Sequence, residues 1–175
     1  MSGGAALAGR LAPLCPGVAL RVAHDGDRAF LADLYASTRE AELAHVPWEP
    51  AAKRAFLHDQ FALQHDHYVK NYVGAEFLVI ENHGQPIGRI YLYRKNQEIR
   101  LMDIALVPEK RGQGIGGELV QALLTVADED ACEVTLHVEP NNPAIKLYDR
   151  HNFHLIENRG VYLFLGRKPN GQPQS

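Results

Sequence analysis

Apolar residues along this chain change their spacing in a way that separates strands from helices. Alternation around Leu20 and Val22 predicts a short strand at 20–24. Asp25 can cap the helix that follows, which carries Phe30, Leu31, Leu34 and Tyr35 at helical spacing and fades near His45. Pro47 and Pro50 punctuate the next turn; Pro50 suits a first helical turn, and Phe56, Leu57, Phe61 and Leu63 extend a second helix toward Tyr72. Apolar runs at 76–81, 86–93 and 98–107, separated by turns at 82–85 and at Lys95-Asn96, predict an antiparallel meander. The remainder alternates: a helix at roughly 116–130, a strand at 133–139, a helix at 143–151, then strands at 153–157 and 161–165. No internal repeat interrupts this order.

Composition narrows the classes. A chain of 175 residues with 46% apolar residues has enough material for one domain with a good core and is not of disordered composition. Its net charge of −3 is spread over scattered acids and bases, which gives no electrostatic reason to expect nucleic acid as a partner. Cys15 and Cys132 do not make a disulfide framework, so the cytoplasm is the default compartment. The apolar stretches of residues 1–17 are broken by Gly9, Arg10 and Pro13, which leaves neither a signal core nor a membrane span. That leader is expected to be a flexible extension, with the folded domain at 18–167 and a frayed tail at 168–175.

The chemistry concentrates after the third strand of the meander. There an apolar strand runs into Pro108-Glu109-Lys110-Arg111-Gly112-Gln113-Gly114-Ile115-Gly116-Gly117 and then into a helix. Glycines let backbone N–H groups approach a phosphate, and the helix start adds unpaired donors and a positive dipole end. A pyrophosphate ligand fits that arrangement. Gly112, Gly114 and Gly117 also satisfy G-x-G-x-x-G, with Glu139 available as a ribose partner, so a dinucleotide-dependent oxidoreductase is one reading. Against it, charged residues intervene between strand and first glycine, and the unit lies late in the chain. A nucleoside triphosphate loop fails because Glu118-Leu119 stands where Lys and Ser or Thr are needed.

Arg111-Gly112-Gln113-Gly114-Ile115-Gly116 resembles the [Q/R]-x-x-G-x-[G/A] loop of the GNAT superfamily of acyl-CoA-dependent N-acetyltransferases. Downstream, 141–153 resembles that family's N-x-x-A-x-x-L-Y-x-x-x-G-F element, and the likeness covers roughly 20–165. It implies a GNAT acyltransferase fold: an α/β (α+β) domain whose mixed central sheet of six to seven strands starts as an antiparallel meander and gains a parallel pair, with helices on both faces. It implies acetyl-CoA as co-substrate, no metal, and transfer of acetyl to a primary amine on a small metabolite or a peptide-like acceptor. The backbone of Ile104, Ala105 and Leu106 would hydrogen-bond the pantetheine arm, and the amides from Arg111 through Gly112, Gln113, Gly114, Ile115 and Gly116 would hold the pyrophosphate, with a charge-assisted contact from Arg111. Tyr148 occupies the family's acid position, and the same element is also compatible with a core tyrosine.

Two departures from the pattern matter. Counting forward from the strand places the family's asparagine at Asn142, counting back from Tyr148 places it at Asn141, and either could bind the cofactor. Asn152 replaces the usual glycine before Phe153, and asparagine tolerates the left-handed backbone such a turn needs. The general base stays open among His137, Asp103 and a water path, with Glu139 a lesser option. His137 and Glu139 share a strand face, and His137 has a near-neutral intrinsic pKa.

On the second helix, His58, His65, His67 and Tyr68 tempt a metal assignment. Their spacing points them to different sides, so a solvated face is the expectation. By resemblance, Trp48, Glu49, Tyr68 and Glu139 are candidate acceptor contacts. A non-catalytic acyl-CoA sensor of the same fold remains an alternative, membranes and nucleic acids are not expected partners, and self-association into a homodimer is left open.

Overall fold

The computed structural model describes residues 6–173. Seven strands form one sheet in the order β1-β2-β3-β4-β5-β7-β6. They are β1 (Ala19–Val22), β2 (Glu76–Asn82), β3 (Gln85–Lys95), β4 (Glu98–Leu106), β5 (Glu133–Val138), β6 (His154–Asn158) and β7 (Leu163–Arg167). The first four pair antiparallel as a meander. β4 and β5 are the parallel pair, joined through a long helix, and β5, β7 and β6 continue antiparallel. The architecture read from sequence is the architecture observed.

Alternation sends successive side chains to opposite faces of the sheet. Leu78 and Ile80 of β2, Ile90 and Leu92 of β3, and Val134, Leu136 and Val138 of β5 join the larger core, together with helix α4 (Ile115–Glu129) and Tyr148 of α5 (Ile145–Arg150). α4 is apolar on a broad stripe, with Leu119, Val120, Leu123, Leu124 and Val126 buried. Each such side chain is worth about 1.5–3 kcal/mol. On the opposite face Val79 meets Leu31, Ala32 and Tyr35 of α2 (Arg28–Arg39) and Phe61 of α3 (Pro50–Asn71). Asp27 accepts from the His24 amide at 2.8 Å and takes Arg21 bidentately at 2.7 Å, which closes the tight turn 25–27 leading into α2, and the expected Asp25 side-chain cap on the helix is not made. None of the described helices is long and apolar enough to cross a membrane.

Both ends of the chain correct the expectation of loose extensions. Residues Leu7–Leu11 form a short helix, α1, and Leu7, Leu11 and Cys15 belong to the larger core. Glu76, at the start of β2, accepts from the amides of Leu7 at 2.9 Å and Ala8 at 3.1 Å, which satisfies donors that a helix start leaves orphaned. Arg10 pairs with Glu129 and Asp130 at the far end of α4. The segment docks through Leu7, Leu11 and Cys15, while Ala6, Gly9 and Ala12 stay exposed. In the tail, Asp128 accepts from Arg167 and from the Asn170 amide at 2.9 Å, so docking continues to Asn170. Residues 1–5 and 174–175 of those two segments lie outside the described residues. Cys15 and Cys132 are free and buried.

Leu11 is fully enclosed, so Leu11→Ala is expected to cost about 2–5 kcal/mol of stability in a denaturant titration. A change within about 0.5 kcal/mol would mean that α1 does not belong to the cooperative fold.

Candidate active site

β4 and β5 pair over three residues only, Glu98↔Glu133, Ile99↔Val134 and Arg100↔Thr135. Beyond them β4 runs on to Leu106 with β3 on one side and no strand on the other. A bulge sets in where they part: β3 pairs Tyr91 with Asp103 and the next residue, Leu92, with Leu101, which leaves Met102 as the extra residue. Alternate backbone groups along residues 101–106, those of Ile104 among them, therefore face an open strand edge, which an extended ligand can extend as an added strand, whereas the expected Ala105 contact is lost because its carbonyl lies against Gly88 of β3, and the Leu106 carbonyl is already taken by Arg111.

The glycine loop stands at the end of that edge. After a short helical turn, Pro108–Lys110, the chain takes left-handed φ angles at Gly112 (71°) and Gly114 (87°), which any residue with a Cβ resists. Gly114 is the N-cap of α4 and offers no side-chain cap, so the first amides of the helix stay unpaired. A Cβ at either glycine would meet nothing within 4 Å, so the space over the loop is open. Gly116 faces Leu147 of α5, which presses helix start against helix. These features fit a diphosphate held by backbone donors. Gln113 donates to the Glu109 carbonyl at 2.8 Å, and Ile115 packs toward the core. Arg111 departs from expectation: its guanidinium donates to the Leu106 carbonyl at 2.9 Å and to Ser37 at 3.1 Å, tying the loop to β4 and α2.

On the sheet face covered by α2 and α3, the same parting opens a cavity of about 340 Å³. Gln64, His67, Tyr68 and Tyr72 of α3 form one wall, with residues 100–103 of β4 as floor. His137, Val138 and Glu139 from the end of β5, Asn142, Arg39 and Tyr162 close the rest. Of the predicted site residues, the fold brings Asp103, His137, Glu139, Asn142 and Tyr68 together here. It does not bring Trp48 or Glu49: Trp48 packs edge-on against Phe56 and stays 45% exposed, and Glu49 is the N-cap of α3. Asn141 is not part of the lining, whereas Asn142 both lines the cavity and accepts from the Ala144 amide at 2.9 Å, opening the turn into α5.

Electrostatics distinguishes the titratable candidates. Asp103 accepts from Nε of Arg89 at 2.5 Å. Arg89 is buried, donates also to Gln64 at 3.0 Å, and lies over the Tyr91 ring 4.6 Å from its centroid. Asp103 is thus the counter-charge of a cation beneath the cavity floor. Glu139 pairs with Arg39, which also holds Glu42 at 2.8 Å. His137 accepts from Arg159 at 2.7 Å and stacks on Phe164; burial, then Arg100 and Arg159, push its pKa below the ordinary histidine range. Burial, reinforced by Asp103, pushes the Tyr148 hydroxyl well above the ordinary tyrosine range. The Tyr148 ring is edge-on to Phe153 at 5.5 Å, and its hydroxyl makes no hydrogen bond with the described residues. Tyr148 is not part of the cavity lining and lies 5% exposed in the larger core. Asn152 takes φ 64°, as a left-handed turn before Phe153 requires.

The histidines of α3 have separate tasks. His58 meets Asp33 at 2.9 Å, His67 meets Asn71 at 3.1 Å, and His65 is no solvated residue: it stacks on Phe61, and its Nδ1 is enclosed without a partner. Among the described residues no group of three or more His, Cys, Asp or Glu is placed to hold a metal ion. The sequence reading missed Arg89, Arg39 and Arg159. Arg89 left a signal, a charge inside the apolar run Ile87 to Leu92, diagonal in the hairpin to the equally conspicuous Asp103. Arg159 left none, because it sits in a turn.

A model of the Acetyltransferase (GNAT) family matches residues 23–153. Among solved structures, PaiA N-acetyltransferase from Thermoplasma acidophilum in complex with coenzyme A is similar at a TM-score of 0.65 and 16% identity, over 86% of this chain and 98% of that one. Spermidine N-acetyltransferase from Vibrio cholerae, in complex with CoA and spermine, aligns at a TM-score of 0.58 and 21% identity, over 87% of this chain and 96% of that one. RimL, the ribosomal L7/L12 alpha-N-protein acetyltransferase, aligns at 0.62 and 17% identity, over 89% and 92%. No curated protein matches. The dinucleotide reading of the glycine loop is overturned, since the family model runs through that loop and a helical turn separates it from its strand.

The Arg89–Asp103 pair makes an asymmetric prediction. Asp103→Asn leaves a buried guanidinium without its counter-charge and is expected to cost ~3 kcal/mol, at the low end for a broken buried pair because Asp103 is partly exposed. Arg89→Met leaves a carboxylate that water can reach and should cost less. Denaturant midpoints check the order, and equal or reversed losses would contradict it.

Proposed function

This chain belongs to the GNAT acetyltransferase family, and from that premise we propose that it moves the acetyl group of acetyl-CoA directly to a primary amine in a ternary complex. The observation that carries the reading is the junction at the parting strands. An open backbone edge leads to a donor-rich glycine loop, while a polar, tyrosine-walled cavity lies on the α2 and α3 side of the same opening. One can hold a pantetheine arm and diphosphate, the other a small metabolite or peptide-like amine. The T. acidophilum and V. cholerae proteins hold coenzyme A, which supports the same co-substrate here.

In this reading the free amine attacks the thioester carbon, the C–S bond breaks, and the sulfur leaves as a thiolate with a pKa of about 8.5. Tyr148 donates to the departing sulfur in concert with return of the proton released by the acylated nitrogen, because a phenol whose pKa is raised above the ordinary range would not protonate such a thiolate and remain as a free phenolate. Holding amine and thioester together supplies much of the acceleration. Both base candidates on the cavity wall are engaged by arginines, which favours water as the carrier of the ammonium proton. A screen of small amines and short peptides for acetyl-CoA-dependent thiol release tests the activity. Tight acetyl-CoA binding with no release from any amine would favour a sensor instead.

Two variants test the parts. Gly114→Val forces a β-branched residue to φ 87°, so CoA affinity by calorimetry should fall at least tenfold while circular dichroism shows a folded chain. Undiminished affinity would remove the loop from the cofactor site. Tyr148→Phe should slow single-turnover acetyl transfer about 100- to 10,000-fold at saturating acetyl-CoA, with binding nearly unchanged. An unchanged single-turnover rate would make Tyr148 a core residue only.

A further inference from the structure

The connection between β6 and β7 folds over the sheet and brings a cation to His137. Asn158 Oδ1 accepts the Gly160 amide at 2.9 Å, Gly160 takes φ 80°, and the Arg159 amide donates to the Tyr162 carbonyl at 2.9 Å. The turn is therefore braced by its own hydrogen bonds. Within it the Arg159 guanidinium is aimed from three directions. Its Nε donates to Glu157 at 2.9 Å, it lies over the Phe164 ring 4.2 Å from the centroid, and an Nη donates to His137 Nε2 at 2.7 Å. Phe164 is also the ring on which His137 stacks, with centroids 4.8 Å apart and planes 25° apart.

A guanidinium donates and never accepts. Nε2 of His137 must therefore present its lone pair to Arg159, and a neutral imidazole with that lone pair on Nε2 carries its proton on Nδ1. Adding a proton at Nε2 would oppose donor to donor and set a second positive charge beside the first. We propose that Arg159 is a positioning residue that fixes His137 as a neutral, Nδ1-protonated hydrogen-bond donor in the cavity, selecting acceptors with an oxygen or nitrogen acceptor atom beyond the reacting amine.

The charged surroundings agree. Arg100 of β4 and Arg159 both disfavour an imidazolium, Glu98 of β4 opposes them, and Glu157 faces Arg159 rather than the ring. Glu139, two residues along β5, is neutralised by Arg39, and Tyr162 meets the ring edge-on. A bare alkylamine has nothing to offer an Nδ1–H group, whereas a carbonyl, carboxylate or hydroxyl does. That selectivity rests on the acetyltransfer reading; the state of the imidazole does not.

Long-range 1H–15N NMR of the full chain, with His137 assigned by comparison with His137→Gln, reads the tautomer directly across pH 5 to 8.5. The parent should show a neutral Nδ1–H ring at pH 7 that titrates below the ordinary value of about 6.5. Arg159→Ala should raise that titration toward the ordinary value and mix the tautomers, while Arg159→Lys, which keeps charge and a donor, should preserve the Nδ1–H form. Arg159 is exposed enough that its loss should not unfold the chain. An Nε2–H ring or an imidazolium at pH 7 in the parent, or an Arg159→Ala variant with unchanged titration and tautomer, would overturn the proposal whether or not any amine is acetylated. If Arg159→Ala does not fold, the parent and Arg159→Lys spectra decide.

Discussion

The parting of β4 and β5 is the constraint on which the site depends. Two parallel neighbours that pair for three residues and then separate leave backbone donors and acceptors without partners. Unpaired polar backbone is costly when buried and invites pairing when open. Here the edge stays open at its β5 side past residue 100, where the Met102 bulge bends β4. The gap has two usable sides as a consequence. The glycine loop and α4 begin at the end of the open edge, and the α3 wall faces it from the other side of the sheet.

Holding such a gap open demands a rigid frame, and the frame is more electrostatic than the apolar pattern suggests. Arg89 lies buried under the cavity floor among Tyr91, Tyr35 and Phe61, with Asp103 as counter-charge and Gln64 as a further acceptor. It links β3, β4 and α3 at one point. Arg39 links the end of α2 to the end of β5 through Glu139, and Arg111 links the glycine loop to β4 and α2. Three arginines from three elements thus fix the relative positions of the walls. On the other face of the sheet α1 does similar work by packing, with Leu7 and Leu11 in the core and Glu76 on the helix start.

What was legible in the chain was whatever repeats with a period or carries a special backbone. Strands β2 to β5 and the helices α2 to α5 follow from spacing, to within a few residues at each end. Asn152 declared a left-handed position and has it, and Gly112 and Gly114, read from the sequence only for close backbone approach, are left-handed as well. The leader escaped because Ala6 to Cys15 is too short and too rich in small residues for periodicity to outweigh Gly9 and Pro13, yet Leu7 and Leu11, four apart on one helix face, suffice to dock it. Site membership escaped wherever long-range geometry decided it. Trp48 and Glu49 neighbour α3 in sequence but not the cavity, while Arg39 lines it, Arg89 meets it through Asp103 and Arg159 through His137, contacts that join residues far apart in the chain.

Those same contacts bear on how a proton leaves an acceptor amine. An alkylammonium with a pKa of about 10.4 is free base in only about one molecule in a thousand or fewer at neutral pH. A dedicated base would have to offer an uncommitted lone pair. Asp103 directs its charge at Arg89, Glu139 at Arg39, and His137 gives Nε2 to Arg159. Each of these three is held by a group that cannot accept a proton in return, and the other imidazole on the wall, His67, has its Nδ1 beside the Asn71 amide. The hydroxyls of Tyr68, Tyr72 and Tyr162 on the cavity wall make no hydrogen bond with the described residues, so they are available to order water. In the acetyltransfer reading, arginine fixes the shape of the cavity, phenols face its solvent, and water is the proposed carrier of the amine's proton.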